Sequence, residues 1–544
     1  MRRKKFLKRL SWCVIVCFVV SIIAVSTMML VSASSNFNKT GFPIVKNKVT
    51  LTILVNNYSA DMPKDYNEYN QFKRLEKLTN VHIKWIMPGS QFAEKKSLML
   101  ASGDLPDIIF GCTDFELAKY GGMGVFKPLE KLIDQYTTNL KNIFKKHPAT
   151  KALVTAPDGH IYTTPRVNEG PWMYREGMGV GVINVKWIKD LGLNMPTNID
   201  EFEKVMIAFK TKDPNKNGKA DEIPITAIGN PMEMHGLGYL MDSFGVSARW
   251  YFADVRNGKV VFLGTLPEYK EAIKWLSKLW KEGLIDKEWF TQDYAKKASK
   301  LNAQPYIVGY ADLWDINDDF SSKKAHDYYD YMPPLKGPNG RKPVMYRAAY
   351  PGYDRWGAVI TRACKMPEVA IRYIDTMYDE KMSVELIEGE FGVRLKKSPE
   401  GWYYIPDPPA GMNQQQWRCK VSPAHSVPWA VFEDPGYTKI LRLTYTDQKV
   451  NFMKKYVAPY ADPDPWPPVF YSADESDKMN QIQTNLIDYA NRKAAEWIMK
   501  GTIDKEWNAY IKELNKMKLQ EWLKINQAAY ERFMKNLKAF SSGK

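Results

Sequence analysis

From Val49 to Val55 apolar and polar side chains alternate and then run apolar (Val-Thr-Leu-Thr-Ile-Leu-Val), the pattern of a strand with one buried face. The periodicity then lengthens to that of a helix over Tyr69–Leu78 and returns to a strand at Val81–Ile86. A second helix is expected over Phe92–Ala101. It leads through Gly103-Asp104 to a short apolar strand, Leu105–Phe110. The same alternation restarts near residue 178, with a strand at Val180–Asn184, a helix at Val185–Leu191 and a break at Pro196-Thr197. In the helix Ile199–Lys210 the apolar residues Ile199, Phe202, Val205, Met206 and Phe209 share one face. Thr197 with Asp200 has the form of a capping box for it. A further strand is read at Tyr306–Tyr310, and helices at Leu266–Glu282 and Pro367–Tyr378, where Pro367 suits a first helical turn. From Asp474 to Leu537 the chain reads as nearly continuous helix. Strands that alternate with helices predict an α/β fold with parallel strands.

The amino terminus follows a different logic. Arg2, Arg3, Lys4, Lys5, Lys8 and Arg9 precede an uncharged apolar run, Ser11–Ala33, and Val31-Ser32-Ala33 offers the small residues a signal peptidase requires. The run is also long enough to span a bilayer. Residues 1–33 therefore read as a signal peptide or an uncleaved membrane anchor. In either case the rest of the chain is expected outside the cell, at the extracellular face of the membrane or secreted. Residues 34–48, rich in Asn, Lys and Thr with Gly41 and Pro43, read as a tether. Cys13 and Cys17 lie inside the export segment and not at its end. Cys112, Cys364 and Cys419 are too widely spaced for a disulfide framework, though one bridge among them is open.

The 544 residues are 45% hydrophobic and 25% charged, ordinary globular composition with enough chain for two or three domains. Six of the sixteen net positive charges lie in the first nine residues, which leaves +10 on the remainder. That balance permits an anionic partner. No Lys/Arg run of nucleic-acid type follows residue 10, so nucleic acid is not expected. The six histidines form no HExxH or spaced metal set, and no GxxxxGK[ST] loop is present. Carboxylate pairs are too common among 61 acids to define a glycosidase. The chain is expected not to be an enzyme, with an exported polysaccharide-degrading glycoside hydrolase as the alternative.

The sharpest local signal is Lys212-Asp-Pro-Asn-Lys-Asn-Gly-Lys-Ala-Asp-Glu-Ile-Pro224. Asp213, Asn215 and Asn217 stand at loop positions 1, 3 and 5, Gly218 at the sharp turn, Lys219 at the carbonyl position 7 and Asp221 at position 9. A hard cation needs six to eight oxygens, and this spacing aims alternate residues inward to supply them. Position 12 is Pro224 where a bidentate Glu would stand, so Glu222 would have to complete the shell. A polar Asx-rich turn after a helix is the competing reading.

Several segments then recur in a familiar order: Gly103-Asp-Leu-Pro-Asp-Ile108, Val125-Phe-Lys-Pro-Leu129, Asp158-Gly-His-Ile-Tyr162, Ile188–Thr197 with the acidic loop after it, Pro333–Gly340 and Gly389-Glu-Phe-Gly392. Together they resemble the family 1 extracellular solute-binding proteins of bacterial ABC transporters, in particular the lipoprotein-like oligosaccharide-binding type that includes alginate-binding proteins. The resemblance spans about residues 48–540. It implies a two-lobed periplasmic-binding-protein-like α/β fold with a hinge and a helical C-terminal region. Lobe 1 would comprise 49–165 and 357–400, and lobe 2 would comprise 166–356 and 401–540, with crossings near 163–177, 345–357 and 400–430. It further implies structural Ca2+ in the variant loop, a monomer, ligand in the interlobe cleft and delivery to the transmembrane subunits of an ABC permease. The lipid-attachment cysteine of that group is missing.

Sugar rings stack an apolar face on Trp or Tyr while their hydroxyls bond Arg, Asp and Asn, so aromatic and polar residues in lobe-crossing or strand-end loops are the candidates for ligand contact. They are Asn57 and Tyr58 after the first strand, Trp172, Tyr174 and Arg175 at the first crossing, Asp312 and Trp314 after the strand that begins at Tyr306, and Tyr353, Arg355 and Trp356 at the second crossing. The expected ligand is an oligosaccharide of several units from a plant or algal polysaccharide. Arg175 and Arg355 leave an acidic sugar open, while Asp312 and Asp354 pull the other way.

Overall fold

A computed structural model of the chain describes residues 36–168, 179–233, 235–247, 251–345, 353–412, 414–432 and 447–542. The first lobe begins with β1 (Val49–Leu54), α1 (Asn70–Thr79), β2 (Val81–Ile86), α2 (Phe92–Ser102) and β3 (Ile108–Phe110). β1 pairs in parallel with β2, Val49 opposite Val81, and with β3, Ile53 opposite Ile108. Helices α3 (Asp114–Gly122), α4 (Glu130–Tyr136), α5 (Asn139–Lys146) and α6 (Pro148–Val154) follow, then the short strand β4 (Arg166–Asn168).

The chain next enters a second core. β5 (Val180–Asn184) runs into α7 (Val185–Asp190), where Asn184 caps the helix by accepting from the Trp187 amide. Helix α8 (Ile199–Thr211) buries the expected face, Ile199, Phe202, Val205, Met206 and Phe209, with Ala208 beside them. Its cap lies one residue beyond the expected Thr197–Asp200 pair. Asn198 is extended and accepts from the Glu201 amide, while the Glu201 carboxylate accepts from Thr197. After β6 (Ile223–Ile225) come the hairpin β7 (Ala253–Arg256) and β8 (Lys259–Phe262), α9 (Pro267–Lys281), α10 (Tyr294–Leu301), β9 (Val308–Leu313) and β10 (Tyr329–Tyr331). The second sheet has the order β10-β5-β9-β6, with β6 parallel and β5 antiparallel to β9.

The chain then returns to the first core through β11 (Tyr353–Asp354) and β12 (Ala358–Ile360), and β12 completes the sheet β12-β3-β1-β2 by pairing antiparallel to β3. Helices α11 (Pro367–Thr376) and α12 (Glu380–Glu388), the small pair β13 (Lys396–Lys397) and β14 (Tyr403–Tyr404), α13 (Gln414–Val421) and β15 (Ala430–Val431) stay with that lobe. Last come α14 (Ala473–Lys500), α15 (Ile503–Lys516) and α16 (Leu519–Ser541), whose apolar faces join the second core. α16 also reaches the first lobe at α6, where Lys151 lies 4.6 Å from the centre of the Phe540 ring.

Two boundaries differ from those expected. Residues 36–48 are not a loose tether: Ile44 and Val45 are buried in the first core and Ile44 donates to the Thr79 carbonyl. Residues 403–432, expected in lobe 2, pack on lobe 1 through Ile405, Trp417, Cys419, Val427 and Trp429, so the third crossing falls after Phe432. In both segments the partners that bury the apolar anchors are distant in sequence. Cys112, Cys364 and Cys419 are free and buried.

Candidate functional site

β4, β11 and β15 form a separate three-stranded sheet of order β11-β4-β15, antiparallel on one side and parallel on the other. Each of its strands stands where the chain passes between cores, from Asn168 to Val180, from Met345 to Tyr353 and from Phe432 to Met453. This is the hinge. Its position relative to both large sheets follows from the pairing. β11 runs through Trp356 into β12, whose start lies beside the end of β3 (Ala358 opposite Phe110), at the carboxyl ends of the parallel strands. The first crossing arrives at Val180, opposite Leu313 at the carboxyl end of β9. The carboxyl edges of both sheets therefore border the hinge, and the crevice outside such edges is where open α/β sheets bind ligands.

On the first-lobe edge stands Trp356, half-buried. Its indole occupies the space a side chain at Gly111 would need, because a Cβ there would lie 2.4 Å from the ring. Its amide donates to Asp354, and the buried Lys96 lies 5.5 Å from the ring centre while donating to the Gly111 carbonyl and pairing with Glu116 at 2.7 Å. On the second-lobe edge stands Trp314, also half-buried. Its amide donates to Asp319 at 3.0 Å, and Lys449 lies 4.8 Å over its ring and donates to its carbonyl. Each ring is thus positioned on a sheet edge by a backbone hydrogen bond and a nearby ammonium group.

The other candidates divide. Asn57 donates to the Pro63 carbonyl, and its Oδ1 is buried with no hydrogen-bond partner. Tyr58 is exposed, with its hydroxyl 3.8 Å from Cys419 Sγ. Trp172, Tyr174 and Arg175 lie outside the described residues.

Three candidates are held away from solvent by structural work. Asp312 is fully buried, accepts from the Tyr310 hydroxyl at 2.6 Å and the Tyr239 amide at 2.9 Å, and is pushed up to about 7 by burial. Tyr353 is buried in the first core, edge-on to Phe432. Arg355 donates to the Leu153 carbonyl at 2.7 Å, Asp114 at 2.8 Å and the Pro468 carbonyl at 2.5 Å, with its guanidinium 4.3 Å over Phe470. It braces the first lobe against the segment leading into α14 and has no free face for a ligand.

A polar group beside the hinge carries no spacing signature in the sequence. Arg166 pairs with Asp354 at 2.6 Å and donates to the His425 carbonyl, while Arg418 of α13 contacts Gln415 and His425. The Arg418 Nε is buried without a partner. Burial first, then Arg418 and Arg166, hold His425 down at about 4, so its imidazole is neutral at physiological pH. Gln415 and His425 also approach Tyr58. Only the folding of 403–432 onto lobe 1 brings these side chains together.

The acidic loop lies between α8 and β6. Asp213 accepts from the amides of Asn217 and Gly218, and Asn215 Oδ1 accepts from the Asn217 amide. The amide groups of Asn215 and Asn217 donate to Asp221. Lys219 donates its own amide to Asn217. Glu222 Oε1 is buried with no partner, and burial raises its pKa, with Asp213 and Asp221 adding to the effect. Among the described residues no three His, Cys, Asp or Glu side chains converge as a metal-ligand set. The donor chemistry nevertheless fits calcium. Three carboxylates and two Asn oxygens surround one turn, one carboxylate oxygen is orphaned, and rotation of the two Asn amides would exchange N–H donors for oxygen ligands.

The fold and site define a hinged, two-lobed binding protein. The chain matches the bacterial extracellular solute-binding protein family over residues 59–383, and it belongs to that family. It is 37% identical over 490 residues to the fructooligosaccharide ABC transporter substrate-binding protein FusA of Streptococcus pneumoniae serotype 4, covering 87% of this chain and 89% of FusA. The structure of FusA in complex with kestose superposes with a TM-score of 0.75 at 34% identity over 90% of this chain and all of that one. A FusA EF-hand mutant bound to fructo-nystose matches with a TM-score of 0.74 at 35% identity over the same shares. A human-milk-oligosaccharide-binding, ABC-transporter-associated solute-binding protein of Bifidobacterium longum infantis gives 0.78 at 25% identity, covering 89% of this chain and 99% of its own. These relatives are transport proteins, and the glycoside hydrolase alternative finds no support among them.

Proposed function

We propose that this chain is the substrate-binding subunit of an ABC importer, and that it captures a neutral oligosaccharide of the fructooligosaccharide class between its lobes for a membrane permease. The observation that carries this reading is the nearly full-length likeness to FusA, whose ligands include kestose and fructo-nystose. The geometry agrees with it. Trp314 and Trp356 on the two sheet edges supply stacking faces, and the orphan oxygen of Asn57 is an acceptor for a hydroxyl. A neutral ligand is favoured over an acidic one because Arg355 is spent on Asp114 and two backbone carbonyls. Lobe closure around the hinge sheet would present the permease with a surface that depends on occupancy. A thermal-shift panel of kestose, nystose, oligogalacturonates and free amino acids tests the class, because a ligand bound only by the folded form raises the melting temperature. A rise with the fructans that added salt leaves unchanged supports the reading. A response confined to oligogalacturonates and suppressed by salt replaces it with an acidic sugar.

The loop after α8 would hold one structural calcium ion through Asp213, Asn215, Asn217, the Lys219 carbonyl, Asp221 and Glu222. Support comes from the orphaned Glu222 oxygen and the EF-hand of FusA. The loop joins α8 to β6 inside the second lobe, so the ion would secure that lobe and take no direct part in ligand contact. Metal analysis of the native protein that finds no calcium removes this assignment.

A further inference from the structure

The segment 36–48, which follows the apolar run, is folded onto lobe 1. Asn36 and Asn47 bond each other, Asn38 donates to Ile44, and Arg372 donates to the carbonyls of Asn38 and Gly41. The turn that results, Lys39-Thr-Gly-Phe-Pro43, is exposed throughout. Phe42 at its tip is 52% exposed, and Leu78 of α1, on the rim of the same cavity of about 520 Å³, is 44% exposed. Large side chains this open beside one another are unusual on a surface meant only for water.

The charges around them are one-sided. Lys39 and Lys141 border the cavity, and Lys77 adjoins Leu78 in sequence and is exposed. Three of the acids near this face are engaged within the fold, while the exposed Asp134 offers Lys141 its backbone carbonyl. Asp375 accepts from the Thr138, Asn139 and Leu140 amides at the start of α5, Asp379 caps α12, and Glu76 takes Lys48 and His82.

The apolar run that ends at Ala33 stops three residues before Asn36, about 10 Å of chain at full extension. If that run is retained in the bilayer, the packed 36–48 segment leaves no slack for lobe 1 to drift away. We propose that the face formed by Lys39–Pro43, Leu78, Lys77 and Lys141 is a membrane-contact surface that lies against an anionic phospholipid bilayer. Phe42 and Leu78 enter the interface, and the lysines sit among the headgroups. This rests on the export reading of residues 1–33 and is independent of which sugar is bound.

The test uses the full chain with Cys13→Ser and Cys17→Ser, reconstituted in phosphatidylglycerol–phosphatidylcholine vesicles that carry a spin-labelled lipid quencher. A fluorophore is placed at Leu78→Cys or, as a second-lobe control, at Lys259→Cys. Quenching severalfold stronger at 78 than at 259 is expected. It should fall to the control level with Lys39→Glu plus Phe42→Ser, and weaken in pure phosphatidylcholine. Both substitutions are at exposed positions, so the melting temperature should hold. Equal quenching at the two sites, or quenching at 78 that survives the double substitution, overturns the proposal, as does a signal indifferent to lipid charge.

Discussion

Asp312 sits fully buried at the end of β9, and its carboxyl is pushed up to about 7 from an ordinary 3.8 by burial. Below pH 4 both the folded and unfolded chains hold this proton, and above 7 both release it. Between those values only the unfolded chain ionises, so the contribution of this group to stability is full in acid and is lost as pH rises toward 7. The slope approaches about 1.4 kcal/mol per pH unit and accumulates to at most about 4 kcal/mol. Asp312→Asn keeps the neutral shape. Its oxygen can accept from the Tyr239 amide and its amide can donate to the Tyr310 hydroxyl, the two contacts the carboxyl makes now. Urea unfolding of both proteins at pH 4, 5, 6 and 7, followed by tryptophan fluorescence, isolates the effect, because groups common to both cancel in the difference. Buried Lys297, which donates to the Asp312 carbonyl and is brought down to about 8 by burial, titrates above this window. The variant should gain on the native protein steadily from pH 4 to 7. A stability difference that stays constant across that range would refute the reasoning.

Removing the brace in Arg355→Met should cost about 1–3 kcal/mol in thermal or urea unfolding, since the Leu153 and Pro468 carbonyls lose their donor while Asp114 stays in contact with water. Trp314→Ala and Trp356→Ala should each weaken oligosaccharide binding by about 1–3 kcal/mol in calorimetric titration while the fold persists, and unchanged affinity in both would make the rings lobe packing only. Chelation of calcium, or Asp213→Ala, should lower the melting temperature and leave affinity at saturating calcium intact in the native chain. No shift on chelation would count against the ion.

Legibility in the sequence followed the range of the interactions involved. β2 and β5 fall where the sequence placed them, Val81–Ile86 and Val180–Asn184, because a strand's pattern is local. The polar turn after α8 was legible as an Asx-rich loop, since the hydrogen bonds among Asp213, Asn215, Asn217 and Asp221 all lie within nine consecutive residues. The third crossing was not legible, because Trp417 and Trp429 pack on lobe 1 against partners distant in sequence. Arg355 and Tyr353 were misread as ligand contacts because an Arg-Trp pair in a crossing loop looks alike whether it faces a cleft or a buried carbonyl. Leu153, Asp114 and Pro468 converge on Arg355 from three distant segments, and no window of sequence contains them together. The Arg166–Asp354–His425 group was missed for the same reason.

The central claim is that this chain captures a fructooligosaccharide and releases it unaltered. Isothermal titration of the purified exported region with kestose, followed by chromatography of the recovered sugar, tests it most directly. The account predicts saturable one-to-one binding with a negative heat-capacity change and intact kestose afterwards. Absence of binding to any fructan at millimolar ligand, or recovery of hydrolysed sugar, would contradict it.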